Sequence, residues 1–225
     1  MIKPDQIGVV FDLDGVLVDS HDQHHEAWQR LGTEIGKEIS DAQFAESFGM
    51  RNEMCIPHVF HWADPEDKAA IQDLGNRKEV HYREILSGEK IDPLPGVIEF
   101  TQMLQKAGIP GSVGSSTSVL NIELCLRATG LDSFFGKNIT GAEDVDRGKP
   151  APDVFLKAAE KINRMPFNCL VIEDAHVGVE AGIAAGMKVL AVTTTHAAET
   201  FEGKPNRIVD TLAEIQLADI FAFFA

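Results

Sequence analysis

Two carboxylates stand two residues apart directly after a short apolar run. The run is Ile7–Phe11, and Asp12, Leu13, Asp14 and Gly15 follow it. Side chains alternate along an extended segment, so Asp12 and Asp14 lie on the same side. Carboxylates this close repel each other unless a cation lies between them or one of them holds a proton, and hard oxygen ligands favour Mg²⁺. The pattern indicates either a metal site or an acidic turn that caps a following helix.

A group of hydroxyl residues follows a second apolar run, at the start of a predicted helix. These residues are Ser115, Ser116, Thr117 and Ser118. Their side chains can cap the helix. Together with exposed backbone N–H groups, they can also hold a phosphate at the positive end of the helix. Taken alone, the residues favour capping.

A lysine and a second acidic pair lie further along the chain. Lys149 precedes Pro150–Pro152, where a helix is predicted to begin. It is either a solvated loop lysine or the cation that neutralises a phosphate or a metal-bound aspartate. Glu173 and Asp174 end another apolar run, where Asp174 could instead cap a helix. Four polar strand ends at one sheet edge favour a shared site over four unrelated caps.

The elements that would position these residues alternate between strand and helix. Short apolar runs are typical of strands buried on both faces of a parallel sheet. The runs are Ile7–Phe11, Gly111–Gly114, Cys169–Ile172 and Val189–Val192, and the helical stretches are Val97–Ala107, Val119–Thr129, Pro152–Ile162 and Val177–Ala185. This alternation from about residue 95 onward predicts a parallel α/β sheet.

The segment from about Ser20 to Lys90 breaks this alternation. It is helix-rich, polar and aromatic, and the turn-forming sequence Asp92–Gly96 with its two prolines closes it. We therefore predict a helical domain inserted after the first strand. The predicted boundaries are 1–18 and 95–225 for the α/β core and 19–94 for the insertion.

Composition restricts the class of protein and of partner. The chain has 225 residues with 20 Lys+Arg and 35 Asp+Glu, a net charge of −15, which argues against nucleic acid and anionic membranes as partners. A small anionic substrate remains compatible if the site brings its own positive charge. The three cysteines, Cys55, Cys125 and Cys169, are widely spaced and predict reduced structural residues. With no signal-like N-terminus and no long apolar run, the expected location is cytoplasmic.

In chain order, these motifs resemble the haloacid dehalogenase superfamily, in its phosphatase and phosphomutase branch. The matching segments are Phe11–Val16, Ser115, Lys149–Asp153, Glu173-Asp174 and Gly178–Gly182. They span nearly the whole chain, and the spacing between the first two fits an inserted cap. The resemblance implies a Rossmann-like three-layer core that carries the catalytic residues and an α-helical cap domain that determines substrate specificity.

The resemblance also implies a mechanism. Asp12 would attack phosphorus and form an aspartyl-phosphate, and Asp14 would donate a proton to the leaving oxygen. The phosphoryl oxygens would be held by Ser115 and Lys149, with Ser116 and Thr117 as further substrate-binding residues. The implied Mg²⁺ ligands are Asp12, the Asp14 main-chain carbonyl and Asp174, with Glu173 assisting. The reaction expected is Mg²⁺-dependent hydrolysis of a small phosphorylated metabolite, such as a sugar phosphate.

Three residues of the predicted cap suggest an alternative reaction. The placement of His24 is similar to that of a hinge histidine in β-phosphoglucomutase and in related sugar phosphatases. Arg51 and Lys78 resemble the residues with which the mutase grips its substrate, although single charged residues are usually solvated. Val119 departs from the mutase pattern, which has an asparagine there. Hydrolysis is thus the first prediction, interconversion of β-glucose 1-phosphate and glucose 6-phosphate the second, and a catalytically silent binding protein on the same fold the third.

Overall fold

A computed structural model describes residues 3–88 and 91–225, and the chain divides into two compact units. Unit 1 consists of Met1–Asp19 and Asp92–Ala225, and unit 2 is Ser20–Ile91. Of the predicted domain ranges, residues 1, 2, 89 and 90 lie outside the described residues. Among the residues that are described, no helix combines the length and the apolar character needed to cross a membrane.

Unit 1 is built on one parallel sheet. Its strands are β1 (Gly8–Phe11), β2 (Gly111–Gly114), β3 (Ile139–Thr140), β4 (Cys169–Glu173), β5 (Lys188–Val192) and β6 (Arg207–Val209). Across the described residues the strand order is β3-β2-β1-β4-β5-β6, and every pair is parallel. The register places Val10 between Ser112 of β2 and Val171 of β4. The predicted parallel α/β class is confirmed.

Helices cover both faces of this sheet. The helices of the described chain are α1 (His21–Ile35), α2 (Asp41–Ser47), α3 (Asn52–Met54), α4 (Lys68–Gly88), α5 (Val97–Ala107), α6 (Val119–Thr129), α7 (Asp132–Phe135), α8 (Asp153–Lys161), α9 (His176–Ala184) and α10 (Leu217–Ala222). Val10 packs in a cluster with Phe155 of α8 and Val179 of α9. The next side chain, Phe11, points to the opposite face and meets the ring of Phe100 of α5 edge-on at 5.9 Å. The result is a three-layer Rossmann-like core.

Two strands were not predicted from the sequence. β3 has two residues and β6 has three, and they form the two edges of the sheet. Strands this short give too few residues for an apolar run to stand out. The prediction therefore missed both edges while finding the four central strands.

Unit 2 is helical and has its own aromatic core. Helices α1 and α4 pack together, and Trp28, Phe44, Phe60 and Ile71 are buried in one cluster. Helix α2 begins with a reciprocal cap, since the Ser40 hydroxyl accepts from the Gln43 amide at 3.3 Å and the Gln43 side chain accepts from the Ser40 amide at 3.2 Å.

The chain segments of unit 1 that lead to and from unit 2 are joined to each other. The Leu94 amide donates to the Leu17 carbonyl at 3.0 Å, and Val18 forms an isolated antiparallel bridge with Pro93. Unit 1 therefore closes on itself at the point where unit 2 is inserted.

Candidate active site

The first strand and its neighbour β4 end at the same point of the sheet. Asp12 follows β1, and its amide donates to the carbonyl of Ile172 in β4 at 3.0 Å. Glu173 is the last residue of β4, and Asp174 follows it. Because the strand order reverses between β1 and β4, their carboxyl ends border the crevice where open α/β sheets bind ligands. The topology thus brings both acidic pairs to one crevice.

Lys149 connects the two acidic pairs. It comes from the connection between β3 and α8, and its Nζ donates to Asp12 Oδ1 at 2.5 Å and to Glu173 Oε1 at 2.6 Å. The lysine side chain is 1% exposed, and Nζ lies 4.6 Å from the centre of the Phe155 ring. Lys149 is therefore a buried cation within a carboxylate cluster, and the solvated-loop alternative is wrong.

Both carboxylate oxygens of Glu173 have hydrogen-bond donors. Oε1 accepts from Lys149, and Oε2 accepts from the backbone N–H groups of Asp174 and Ala175, each at 2.7 Å. A side chain at Gly178 would collide with this carboxylate, so only glycine leaves it room. These contacts fix the orientation of Glu173, which in turn holds Lys149 beside Asp12.

Asp174 is held by a different loop. Its Oδ2 accepts a hydrogen bond from the hydroxyl of Thr195, and a side chain at Gly15 would collide with the same oxygen. Gly15 has a φ of +81°, which also favours glycine. The N-cap residue of α9 is Ala175, so Asp174 does not cap that helix and the capping alternative is wrong for it.

The cluster carries more negative charge than its lysine neutralises. Burial, followed by repulsion from Glu173 and Asp14, raises the pKa of Asp12 to about 8 against the attraction of Lys149. Burial and the charges of Glu173 and Asp12 raise the pKa of Asp174 well above its usual range. For Lys149, burial alone would lower the pKa, but Asp12 and Glu173 outweigh it and raise the pKa. A further cation would stabilise the ionised carboxylates.

The donor set of the cluster suits a hard divalent cation. Asp12, Glu173 and Asp174 each offer a carboxylate oxygen, and these oxygens lie within 4.8 Å of one another. All-oxygen donors favour Mg²⁺ over softer metals. Since both oxygens of Glu173 are already engaged, Asp12 and Asp174 are the better placed ligands. The residues therefore fit the predicted magnesium ion.

Of the hydroxyl residues directly after β2, two are hydrogen-bonded within their own segment and one has no partner among the described residues. Ser115 follows β2, its amide donates to the Thr140 carbonyl at 3.0 Å, and its buried hydroxyl accepts from the Thr117 amide at 3.2 Å. The Thr117 hydroxyl accepts from the Asn121 side chain at 2.8 Å. The hydroxyl of Ser116 is buried, and no hydrogen-bond partner for it exists among the described residues. Ser115 lies at the same sheet edge as Asp12 because β2 pairs with β1.

The capping prediction applies to the fourth hydroxyl of this segment. Ser118 is the N-cap of α6, where its hydroxyl accepts from the Asn121 amide at 3.3 Å. Capping thus accounts for Ser118 and leaves Ser115 and Ser116 for other contacts.

Unit 2 brings together two of its three predicted site residues. Lys78 Nζ lies 2.8 Å from His24 Nδ1 and donates to Glu79 Oε1 at 2.9 Å. The His24 ring stacks on Tyr82 at 4.0 Å. Lys78 is therefore a buried, paired lysine, not a solvated one. Arg51, the third predicted residue, is half-buried and precedes α3.

Two contacts in these networks involve residues that sequence reasoning missed. Thr195 is 21 residues from Asp174, and no motif around Thr193–Thr195 indicates the contact. Glu79 holds Lys78 and also accepts from the Asn52 side chain at 2.8 Å. In the sequence, the adjacent pair Lys78-Glu79 looks like other charged pairs on exposed helix surfaces. The structure shows that both side chains of this pair are largely buried.

A parallel sheet with this strand order and a buried carboxylate–lysine cluster at its reversal point defines a Rossmann-like α/β enzyme. Residues 8–186 match the family model of the haloacid dehalogenase-like hydrolases. The chain belongs to this family, in the branch that holds phosphatases and phosphomutases.

Two relatives that match most of this chain are named as a phosphatase and a phosphomutase. The chain is 34% identical over 185 residues to hexitol phosphatase A of Escherichia coli K12, with 82% of each chain covered. It is 31% identical over 191 residues to the β-phosphoglucomutase of Bacillus subtilis 168, again with 82% of each chain covered. Longer relatives from Arabidopsis thaliana also match, and the chain covers between 20% and 57% of their length. A crystal structure of a family IA hydrolase from Entamoeba histolytica shares the fold, with a TM-score of 0.87, 24% identity and coverage of 96% of this chain and 98% of that chain.

Proposed function

We propose that the chain is a Mg²⁺-dependent phosphatase that hydrolyses a small phosphorylated metabolite, of the sugar phosphate class, through an aspartyl-phosphate at Asp12. The observation that carries this proposal is the position of Lys149, whose Nζ lies 2.5 Å from Asp12 and 2.6 Å from Glu173 in a buried crevice. A fixed positive charge beside a carboxylate nucleophile is what phosphoryl transfer requires, because the transferred group is strongly anionic.

Asp12 and Asp14 divide the chemistry between them. In the first step an oxygen of Asp12 attacks phosphorus, the bond to the leaving oxygen breaks, and Asp14 gives that oxygen a proton. In the second step Asp14 takes a proton from water, the water oxygen attacks phosphorus, and the bond to Asp12 breaks to release inorganic phosphate. Asp14 is half-buried, and a parallel bridge to Val18 holds its backbone.

The remaining site residues hold the phosphoryl group in place. Lys149 offsets the charge on its oxygens, and the hydroxyls of Ser115 and Ser116 at the end of β2 supply neutral donors. Asp12, the Asp14 carbonyl and Asp174 would hold Mg²⁺, with Glu173 orienting Lys149. When bound, the ion supplies charge stabilisation for the transferring group and lowers the pKa of the neighbouring carboxyls.

Substrate selection is assigned to unit 2. Its half-buried Arg51 and its paired residues His24 and Lys78 offer positive and hydrogen-bonding groups for a polar, anionic metabolite. The hexitol phosphatase relative supports a phosphorylated polyol or sugar as substrate class. The net charge of −15 disfavours a polyanionic macromolecule.

Phosphate release from a panel of sugar phosphates and from p-nitrophenyl phosphate tests this function. The wild type should turn over at least one substrate with Mg²⁺ and stop when EDTA is added. Asp12→Asn should abolish turnover and the acid-stable phosphoryl-enzyme trapped from labelled substrate. Asp5→Asn, the same change at an exposed position, is the matched control. Activity that persists in Asp12→Asn contradicts the proposal, and a wild type that forms neither product nor phosphoryl-enzyme supports a silent binding protein instead.

A phosphomutase is the second candidate. The pairing of Lys78 with His24 favours it, together with the β-phosphoglucomutase relative. Incubation with β-glucose 1-phosphate and a trace of β-glucose 1,6-bisphosphate, coupled to glucose-6-phosphate dehydrogenase, distinguishes the two reactions. Formation of glucose 6-phosphate supports the mutase, whereas free glucose and phosphate without it support the phosphatase.

A further inference from the structure

Asp174 differs from Asp12 and Glu173 in the part of the chain that holds its carboxylate. Lys149 and the backbone amides hold Asp12 and Glu173, but they make no hydrogen bond with Asp174. The bond from the Thr195 hydroxyl to Asp174 Oδ2 comes from the segment that follows β5.

We propose that Thr195 is the positioning residue of the metal site: its hydroxyl fixes Asp174 Oδ2 so that Oδ1 faces the ion. This inference rests on the magnesium site of the proposed function and adds a residue that no motif indicated. A side chain at Gly15 would also collide with Oδ2, so this oxygen has little free space around it. With Oδ2 bonded to the Thr195 hydroxyl and crowded by Gly15, Oδ1 is the oxygen that we assign to the ion.

The segment that carries Thr195 is anchored before this residue. The Thr193 amide donates to the Val209 carbonyl at 3.0 Å, which continues the β5–β6 pairing beyond β5. The Thr193 hydroxyl donates to Asp210 Oδ1 at 2.7 Å. Two hydrogen bonds at this residue fix where the backbone stands two positions before Thr195.

The same segment is anchored again directly after Thr195. The ring of His196 packs on the ring of His176, the first residue of α9, with centroids 4.4 Å apart. The ring of Phe201, which is fully buried, packs on His176 at 4.9 Å. Anchored on both sides, the segment presents the Thr195 hydroxyl at a fixed place, as a positioning role requires.

Groups that orient a metal ligand through a hydrogen bond change metal affinity by about 10- to 100-fold when they are removed. Thr195→Val keeps the shape of the side chain and removes the hydroxyl. We therefore expect this variant to raise the dissociation constant for Mg²⁺ by about 10- to 100-fold. Thr195→Ser retains the hydroxyl and should bind Mg²⁺ with an affinity close to that of the wild type, since the hydrogen bond can still form.

Isothermal titration of the full chain with Mg²⁺ alone measures this directly, without any substrate. Thr194→Val is the matched control, because Thr194 is an exposed neighbour and the chemical change is identical. Thermal unfolding in EDTA, recorded for each variant, separates metal affinity from stability. A melting temperature in EDTA close to that of the wild type, with weakened Mg²⁺ binding that the serine variant restores, supports positioning.

Three results overturn the inference, and a fourth separates it from the proposed function. Equal Mg²⁺ affinity in Thr195→Val and wild type removes it and leaves the phosphatase proposal standing. Weak binding in both Thr195→Val and Thr195→Ser, with lowered stability in EDTA, identifies a structural role instead. A wild type that binds no Mg²⁺ removes both the inference and the metal dependence. Loss of affinity in Thr195→Val, in a protein that hydrolyses none of the substrates tested, supports the inference while the phosphatase proposal fails.

Discussion

Replacing Lys149 by methionine removes one charge from the cluster at nearly constant side-chain length. In the native protein Nζ lies 2.5 Å from Asp12 and 2.6 Å from Glu173, and the lysine side chain is 1% exposed. Removing one partner from a buried ion pair leaves a charge without compensation and costs about 3–5 kcal/mol. We expect Lys149→Met to lower the free energy of unfolding of unit 1 by this amount, a large share of the roughly 5–15 kcal/mol that stabilises a typical protein.

Urea unfolding in EDTA measures this loss without any contribution from a bound cation. Far-UV circular dichroism follows the helices of both units, whereas tryptophan fluorescence follows unit 2 alone because Trp28 and Trp62 both lie there. With a slope of about 2 kcal/mol per molar urea, the unit 1 transition should shift by about 1.5–2.5 M. The fluorescence transition should show no direct effect of the lost charge.

Lys157→Met is the matched control. It removes the same charge from an ion pair with Glu160 whose side chains are 41% and 70% exposed, so it should unfold like the wild type. Combining Lys149→Met with Glu173→Gln should recover part of the loss, because one of the uncompensated charges is then absent. If Lys149→Met unfolds at the same urea concentration as Lys157→Met, the lysine does not compensate the buried carboxylates and the electrostatic reasoning is refuted.

Two further predictions concern the hydroxyl of Thr140 in β3 and the carboxylate of Glu79 in unit 2. Thr140→Val should leave stability unchanged or raise it by up to about 1 kcal/mol, because the buried Thr140 hydroxyl has no partner among the described residues; a clear fall in the thermal midpoint by circular dichroism would contradict this. Burial alone would raise the pKa of Glu79, but Lys78 and His24 outweigh it and lower the pKa from 4.5 to about 2. The stabilisation by ionised Glu79, about 3 kcal/mol, should be present above pH 4.5 and fade as the pH falls towards 2. Urea midpoints by tryptophan fluorescence should therefore separate wild type from Glu79→Gln most at pH 7, by less than half as much at pH 3, and converge as the pH falls to 2. An equal separation at pH 7 and pH 3 would refute the assignment.

Several helices of the core could be predicted because residues that favour helix starts or helix ends mark their boundaries. The predicted helices 97–107 and 119–129 coincide with α5 and α6. Gly108 and Gly130 end these helices in the left-handed conformation, and Ser118 begins the second with a hydroxyl cap. Residues with such strong local preferences fix a boundary without help from the rest of the fold, whereas the short edge strands β3 and β6 depend on their neighbours.

For the candidate site, too, the sequence predicts some features and not others. Strand ends place Asp12 and Glu173 at one crevice, and a sequence pattern is enough to predict that. The pattern does not tell that both oxygens of Glu173 are engaged by Lys149 and two amides, or that Thr195 reaches Asp174. Those contacts depend on side-chain rotamers and on the path of the segment after β5, which long-range packing determines.

The hydrogen bond between Leu17 and Leu94 has a consequence for how the chain can change. The residues of unit 1 on either side of the insertion are hydrogen-bonded to each other, so lengthening or replacing residues 20–91 need not disturb the register of the sheet. Doubling the length of an inserted loop costs only about 0.6 kcal/mol in closure entropy. The reactive residues lie outside the stretch that is assigned to substrate choice. Under the proposed role of unit 2 in substrate selection, insertions of different length and sequence could be exchanged on one core. A graft between Val18 and Pro93 is the natural junction for testing whether specificity follows the insertion.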